Sequence, residues 1–217
     1  KKIGTAQLKE AIFRVLVGKE KKSHVMTEKD RWVTAVHEVG HALTVRFMSS
    51  TEKVDRISII PAGGAGGYTA HRPDEDSAYL TRSQLLENID INLGGRAAEE
   101  RILGDISTGA TSDLQNVSNL ARAMVVKYGM SDRVGNIVFG SASDDEIFVG
   151  KEYGHTRTYS DETAALIDSE VKRIVDEEYA KVLNLISEKS ELLEKIAKEL
   201  LEKERLEGEE FESLINS

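Results

Sequence analysis

The chain has 217 residues, 40% of them hydrophobic, enough apolar material for one ordinary domain or a domain with an appendage. A formal net charge of −9, with no Lys/Arg stripe interleaved with aromatics, argues against nucleic acid as a partner. The absence of cysteine excludes disulfides, a Cys-rich structural zinc site and a thiol nucleophile, and neither a signal peptide nor an apolar run of about 18 residues is present.

Residues 5 to 17 (TAQLKEAIFRVLV) read as a short amphipathic helix that Gly18 ends. The charged KEKKSH segment after it reads as a linker, and the chain opens in mid-pattern at Lys1, as a continuation from an upstream region would. The next helix is expected from Thr27 to Phe47, with Thr27 as N-cap and Asp30 three residues on. Its apolar stripe is Trp32, Val36, Val39, Leu43 and Phe47.

This helix carries His37-Glu38-Val39-Gly40-His41, an H-E-x-x-H motif. Positions i and i+4 lie one turn apart on one face, so two imidazoles placed there can grip one Zn²⁺. The glutamate between them can take a proton from a water activated by the metal, which points to metal-assisted peptide hydrolysis. The plain alternative is a helix with two surface histidines. Against it, His37 and His41 fall opposite the centre of the stripe at about 100° per residue. The small residues Gly40 and Ala42 also leave room beside His41 for a backbone or a substrate.

Val54 to Pro61 (VDRISIIP) reads as a strand, GGAGG at 63 to 67 as a turn, and Tyr68 to His71 as a second strand. A phosphate cradle is rejected for these glycines because no Lys-Ser/Thr pair or helix start follows them. A hairpin beside the active site is the expectation. A helix follows from about Ser83 through LLENIDINLGGRAAEERIL. Gly94 and Gly95 imply close packing against another backbone, or a kink. After the loop GDISTGATSD, a helix is expected from Ser112 to Tyr128, burying Leu114, Val117, Leu120, Ala121 and Met124. Residues 129 to 160 are loop-rich, with a short strand at Ile137 to Phe139. Asp161 to Glu204 is helical, with a break near Ser187 to Ser190. Its apolar face runs from Leu166 through Ile174, Val182, Ile186, Leu193 and Ile196 to Leu200, and its charges form a solvated face rather than a coiled-coil seam.

Catalytic zinc takes three protein ligands and keeps one open position. The metzincin continuation fails, since Ala42-Leu43-Thr44-Val45-Arg46-Phe47 follows His41. His24, His71 and His155 have no motif context. Glu99 and Glu100 in GGRAAEE and Asp113 in STGATSD are better candidates, and spacing leaves the choice among them open. Asp113 also fits as an ordinary first-turn helix acid.

HEVGHA at 37 to 42, RISIIP at 56 to 61, GGRAAEE at 94 to 100, STGATSDL at 107 to 114, KYGMSD at 127 to 132 and YSDETAALID at 159 to 168 occur in an order that resembles the protease domain of the FtsH family, membrane-anchored AAA+ zinc metalloproteases. The resemblance covers nearly the whole chain. Val39 departs from the commoner alanine without touching a ligand position. The resemblance implies one Zn²⁺ per chain on His37, His41 and Asp113, with Glu38 as general base. It implies a mainly α zinc-metalloprotease domain over 27–217, with a small β-hairpin or sheet near the active site and a long C-terminal helical region. Residues 1–26 resemble the last helix of an ATPase module plus a linker. The P-loop module and the membrane anchor are absent from this chain, so it is not expected to bind ATP. Unfolded or membrane protein substrates, a homo-hexamer, and a cytoplasmic, matrix or stromal position for this domain follow from the family alone.

Two further roles are expected. Glu99 or Glu100 would orient a ligand imidazole, the alternative being a surface ion pair with Arg96 or Arg101. The strand at Ile57, Ser58, Ile59 and Ile60 would add an extended substrate to its edge. The competing functions are another metal-dependent amidase or deformylase, and a non-catalytic ring-assembly module.

Overall fold

A cap fixes the start of the central helix. In the computed structural model, which describes residues 4–16, 18, 26–63, 66–73, 78–139 and 159–217, the Thr27 side chain accepts the Asp30 backbone N–H at 3.1 Å. Helix α2 then runs Glu28–Met48. It follows α1, Thr5–Leu16, which meets the rest of the molecule where Phe13 stacks under the Arg56 guanidinium, 4.1 Å from ring to Cζ. The KEKKSH linker, His24 and His155 lie outside the described residues.

Within α2 every residue from Ala35 to Val45 except His37 is buried, so the expected stripe is only one side of a helix enclosed almost all round. Val36, Val39 and Leu43 are fully buried in the core. Phe47 is not part of it: the helix end reaches the surface there, and the Arg46 and Lys189 cations lie over the exposed ring.

Strand β1, Glu52–Ser58, pairs with β2, Tyr68–Pro73, as the predicted hairpin. A third strand that patterning does not signal, β3 at Arg205–Glu207, pairs with the other side of β1. The order is β2-β1-β3, so β1 is the middle strand. The expectation of a substrate edge at Ile57 to Ile60 is therefore corrected. Ile57 pairs with Thr69 on one side and Leu206 on the other, and Ser58 with Tyr68 and Arg205. Ile59 lies past the strand and donates its N–H to the Glu204 carbonyl, and Ile60 donates to the Ser58 hydroxyl. Among the described strands, the edge beside the central helix belongs to β2.

Helix α3, Arg82–Ala98, opens on a capping box between Thr81 and Gln84 and continues into a π-helical turn, Glu99–Leu103, that Gly104 ends in the left-handed region at φ 66°. The helix runs unbroken through the glycine pair. A Cβ at Gly94 would fall 2.7 Å from the Gly40 carbonyl oxygen and 2.6 Å from the Thr44 hydroxyl, so the pair lets α3 lie backbone to backbone on α2. A 3₁₀ turn, Thr108–Ala110, leads into α4, Thr111–Val126, which buries Val117, Ala121, Met124 and Val125 and leaves Leu114 and Leu120 at the core margin. The expected strand at Ile137 to Phe139 does not form: Ile137 and Val138 are exposed, and Phe139 packs edge-on against Tyr159.

Helices α5, Asp161–Glu188, and α6, Ser190–Lys203, break where expected. Glu204 then takes a left-handed conformation, φ 62°, which turns the chain into β3 and on to α7, Gly208–Ile215. The fold is mainly α with a small sheet against one flank of the motif helix.

Candidate metal centre

His37 and His41 project from adjacent turns of α2 into a cleft of about 670 Å³ whose wall includes Gly66, Gly67, Tyr68 and Thr69 on one side and Asp113 on another. His41 Nδ1 lies 2.7 Å from the Ile91 carbonyl oxygen, which can only accept, so that nitrogen carries the proton. His37 Nδ1 lies 2.7 Å from Glu99 Oε1 and donates to it. In the neutral rings both lone pairs are therefore on Nε2, and the two Nε2 atoms face each other at 3.0 Å. Asp113 Oδ2 closes the triangle, 3.3 Å from His37 Nε2 and 3.6 Å from His41 Nε2.

Three electron-rich atoms this close require a proton or a cation among them. A tetrahedral metal with bonds of about 2.0–2.1 Å would separate its donors by roughly 3.3 Å. The observed separations bracket that value, so the residues fit a divalent ion with two imidazoles and one carboxylate. Among the described residues this is the only group of three or more His, Asp or Glu side chains close enough to share a metal. Gly95 makes the convergence possible: a Cβ there would fall 2.5 Å from His37 Cε1 and 2.6 Å from both Nε2 atoms.

A family model described as peptidase family M41 matches residues 24–214. The chain belongs to this family. It is 56% identical over 217 residues to a protein of Ruminiclostridium cellulolyticum named ATP-dependent zinc metalloprotease FtsH, covering all of this chain and 35% of that protein. It is 48% identical over 216 residues to an ATP-dependent zinc metalloprotease FtsH 1 of Thermoanaerobacter sp., with the same coverage. An ATP-dependent zinc metalloprotease FtsH of Synechococcus sp. is 43% identical over 218 residues, covering 99% of this chain and 34% of that protein. The chain thus spans about a third of the length of the relatives it matches.

The electrostatics of this M41 site divide its acids into two kinds. Burial works against the charged form of Asp113, but hydrogen bonds to both imidazoles outweigh it and hold the carboxyl well below its ordinary range. Glu99 behaves likewise: burial is overcome by His37 and by the Ser107 backbone N–H, which donates to Oε2 at 2.6 Å. His37 responds in turn. Burial would lower its pKa, but Asp113, Glu99 and Glu38 raise it to about 10. Glu38 goes the other way: burial raises its carboxyl above the usual value despite the opposing histidines. Its Oε2 accepts from the Thr69 hydroxyl at 2.8 Å.

The structure separates the two adjacent glutamates. Glu99 is fully buried behind His37, whereas Glu100 is exposed and accepts from the Tyr179 hydroxyl at 2.6 Å. His71 lines the cleft but pairs with Glu52, 3.0 Å away. Thr69, Ser107 and the Ile91 carbonyl are parts of the site not singled out from sequence, and sequence marks Gly95 only as half of a packing pair. The GG pair was the one visible signal, and its second member serves the imidazoles directly.

Proposed function

We propose that this chain is a zinc-dependent endopeptidase, with His37, His41 and Asp113 as the metal ligands and Glu38 as general base. The observation that carries the reading is the convergence of two Nε2 lone pairs and one carboxylate oxygen within 3.0–3.6 Å. Zinc held there supplies a Lewis acid and brings the pKa of a bound water to about 7. Glu38 accepts a proton from the attacking water and hands it to the leaving amine. Burial raises the Glu38 carboxyl above its ordinary value, which makes it a stronger proton acceptor than a free glutamate and suits it to the base role. Glu99 fixes the tautomer and tilt of His37 from behind, and the Ile91 carbonyl does the same for His41. An extended substrate lies along the free edge of β2, paired through its main chain, which gives affinity with little sequence preference.

Residues 1–26 are read as the end of an upstream ATPase module and its linker, and 27–217 as the protease domain, a division supported by the family match that begins at residue 24. The full-length protein would use ATP, as its relatives' names state for them, and act as a membrane-anchored homo-hexamer on unfolded or membrane proteins. This domain would face the cytoplasm, matrix or stroma. Among the described residues no helix is long and apolar enough to cross a membrane.

The test is elemental analysis for zinc together with chelator-sensitive degradation of casein. Glu38→Gln is expected to keep zinc and lose at least a hundredfold in turnover. Asp113→Ala is expected to lose both. Full zinc occupancy in the Asp113 variant would remove that residue from the ligand set, and chelator-resistant cleavage would end the metallopeptidase reading.

A further inference from the structure

We infer that Thr69 is a positioning residue for the reaction, clamping the Glu38 carboxylate to the substrate-binding strand, an inference that rests on the peptidase reading above. The Thr69 hydroxyl lies 2.8 Å from two acceptors, Glu38 Oε2 and the Glu38 backbone oxygen. Both belong to the same residue, so the hydroxyl's one proton is shared between them and holds the Glu38 side chain beside its own turn of helix. Among the described residues no other side chain or backbone group hydrogen-bonds the Glu38 carboxylate. Oε2 is held by Thr69, and Oε1 is left for the cleft that Glu38 lines. A glutamate has three rotatable side-chain bonds, and a base serves only when its free oxygen stays within hydrogen-bond reach of the attacking water.

The approach of β2 to α2 is built for this contact. A Cβ at Gly67 would fall 3.1 Å from Glu38 Cγ, 2.7 Å from Thr34 Cγ2 and 2.8 Å from the Ser58 carbonyl oxygen. A glycine there lets the start of β2 close on the helix and brings the hydroxyl two residues later into range. Thr69 also pairs with Ile57 on the inner side of β2, while the outer side of that strand is the free edge. The strand that would take a peptide's main chain is thus the strand that orients the base, and a peptide bound there is registered against Glu38 through a single residue.

The experiment compares Thr69→Val and Thr69→Ser in the zinc-loaded full-length protein, using a quenched-fluorescence unstructured peptide. Valine keeps the shape and removes the hydroxyl, and serine keeps the hydroxyl and removes the methyl group. The expected result is a roughly 10- to 100-fold fall in kcat for Thr69→Val, with KM within about twofold of the parent. Zinc content and thermal midpoint should match the parent protein, and Thr69→Ser should stay within about threefold of the parent kcat. A Thr69→Val variant with parental kcat overturns the inference. So does one whose loss tracks zinc content or thermal midpoint, or a serine variant as impaired as the valine one, since each of these marks a packing role. Glu38→Gln run in parallel separates the two readings: if it retains turnover, the base assignment fails and the clamp with it, whereas an inactive Glu38→Gln beside a fully active Thr69→Val sinks the clamp alone.

Discussion

Gly95 has no side chain because two imidazoles occupy the space one would need. Even alanine would place a methyl group 2.5–2.6 Å from three ring atoms, and the rings have nowhere to retreat, since Glu99 and the Ile91 carbonyl hold their far nitrogens. Gly95→Ala is therefore expected to weaken zinc binding by a factor on the order of 10–100, the range seen when the support of a ligand histidine is disturbed. Competition with a chromophoric chelator would measure it, and parental affinity would show that the rings can shift at no cost. The histidines were legible because a helix converts a spacing of four into a shared face. Asp113 was not, because its distance from His37 along the chain carries no geometric meaning until α4 is docked; a family resemblance singled it out. Thr69 gave no signal at all. A threonine in a strand is ordinary, and only the closeness of β2 to α2 gives its hydroxyl a task.

At the level of elements, the contact between α3 and α5 carries an unusual burden. Asp90 on α3 is 5% exposed, faces Glu178 on α5, and has an Oδ1 with no hydrogen-bond partner. Lys181 donates to both oxygens of Glu178, and Glu87 adds further negative charge nearby. Burial first, and Glu178 second, push the Asp90 carboxyl up to about 8. In the unfolded chain the same group titrates near 3.9. Between those values the unfolded state binds fewer protons than the folded one, so Asp90 makes stability fall as pH rises from about 4 to about 8 and contributes no slope beyond. Asp90→Asn removes that slope. It is expected to raise stability by roughly 1–3 kcal/mol at pH 8, several degrees in Tm for a chain this long, and to change little at pH 4. Thermal melts at the two pH values decide it, and equal shifts at both would exclude titration as the cause. Helix limits, including the break between α5 and α6, could be read from periodicity and caps. The pairing of β1 could not: Arg205–Glu207 is too short for a period to show, and its partner lies some 150 residues away. That is why a central strand read as an edge.

Over the whole molecule, the proposed ligands come from α2 and α4, while α3 and its π-helical turn hold them from behind. A metal that joins those helices binds the folded chain far better than the unfolded one. Zinc at a hundred times its Kd would stabilise the fold by about 2.7 kcal/mol. Chelation is accordingly expected to lower Tm by roughly 5–10 °C, read by calorimetry with and without chelator and restored by added zinc. A midpoint indifferent to chelation would mean that the helices assemble without the ion.

The three residues of β3 have an effect out of proportion to their length. By zipping onto the inner flank of β1 they silence one row of amides and carbonyls that would otherwise invite company. Among the described strands the sheet ends at β2 and β3, and only β2 lines the cleft of the histidines, so a remote tripeptide near the end of the chain decides that β1 offers no rail and that the proposed mooring for a guest falls to β2.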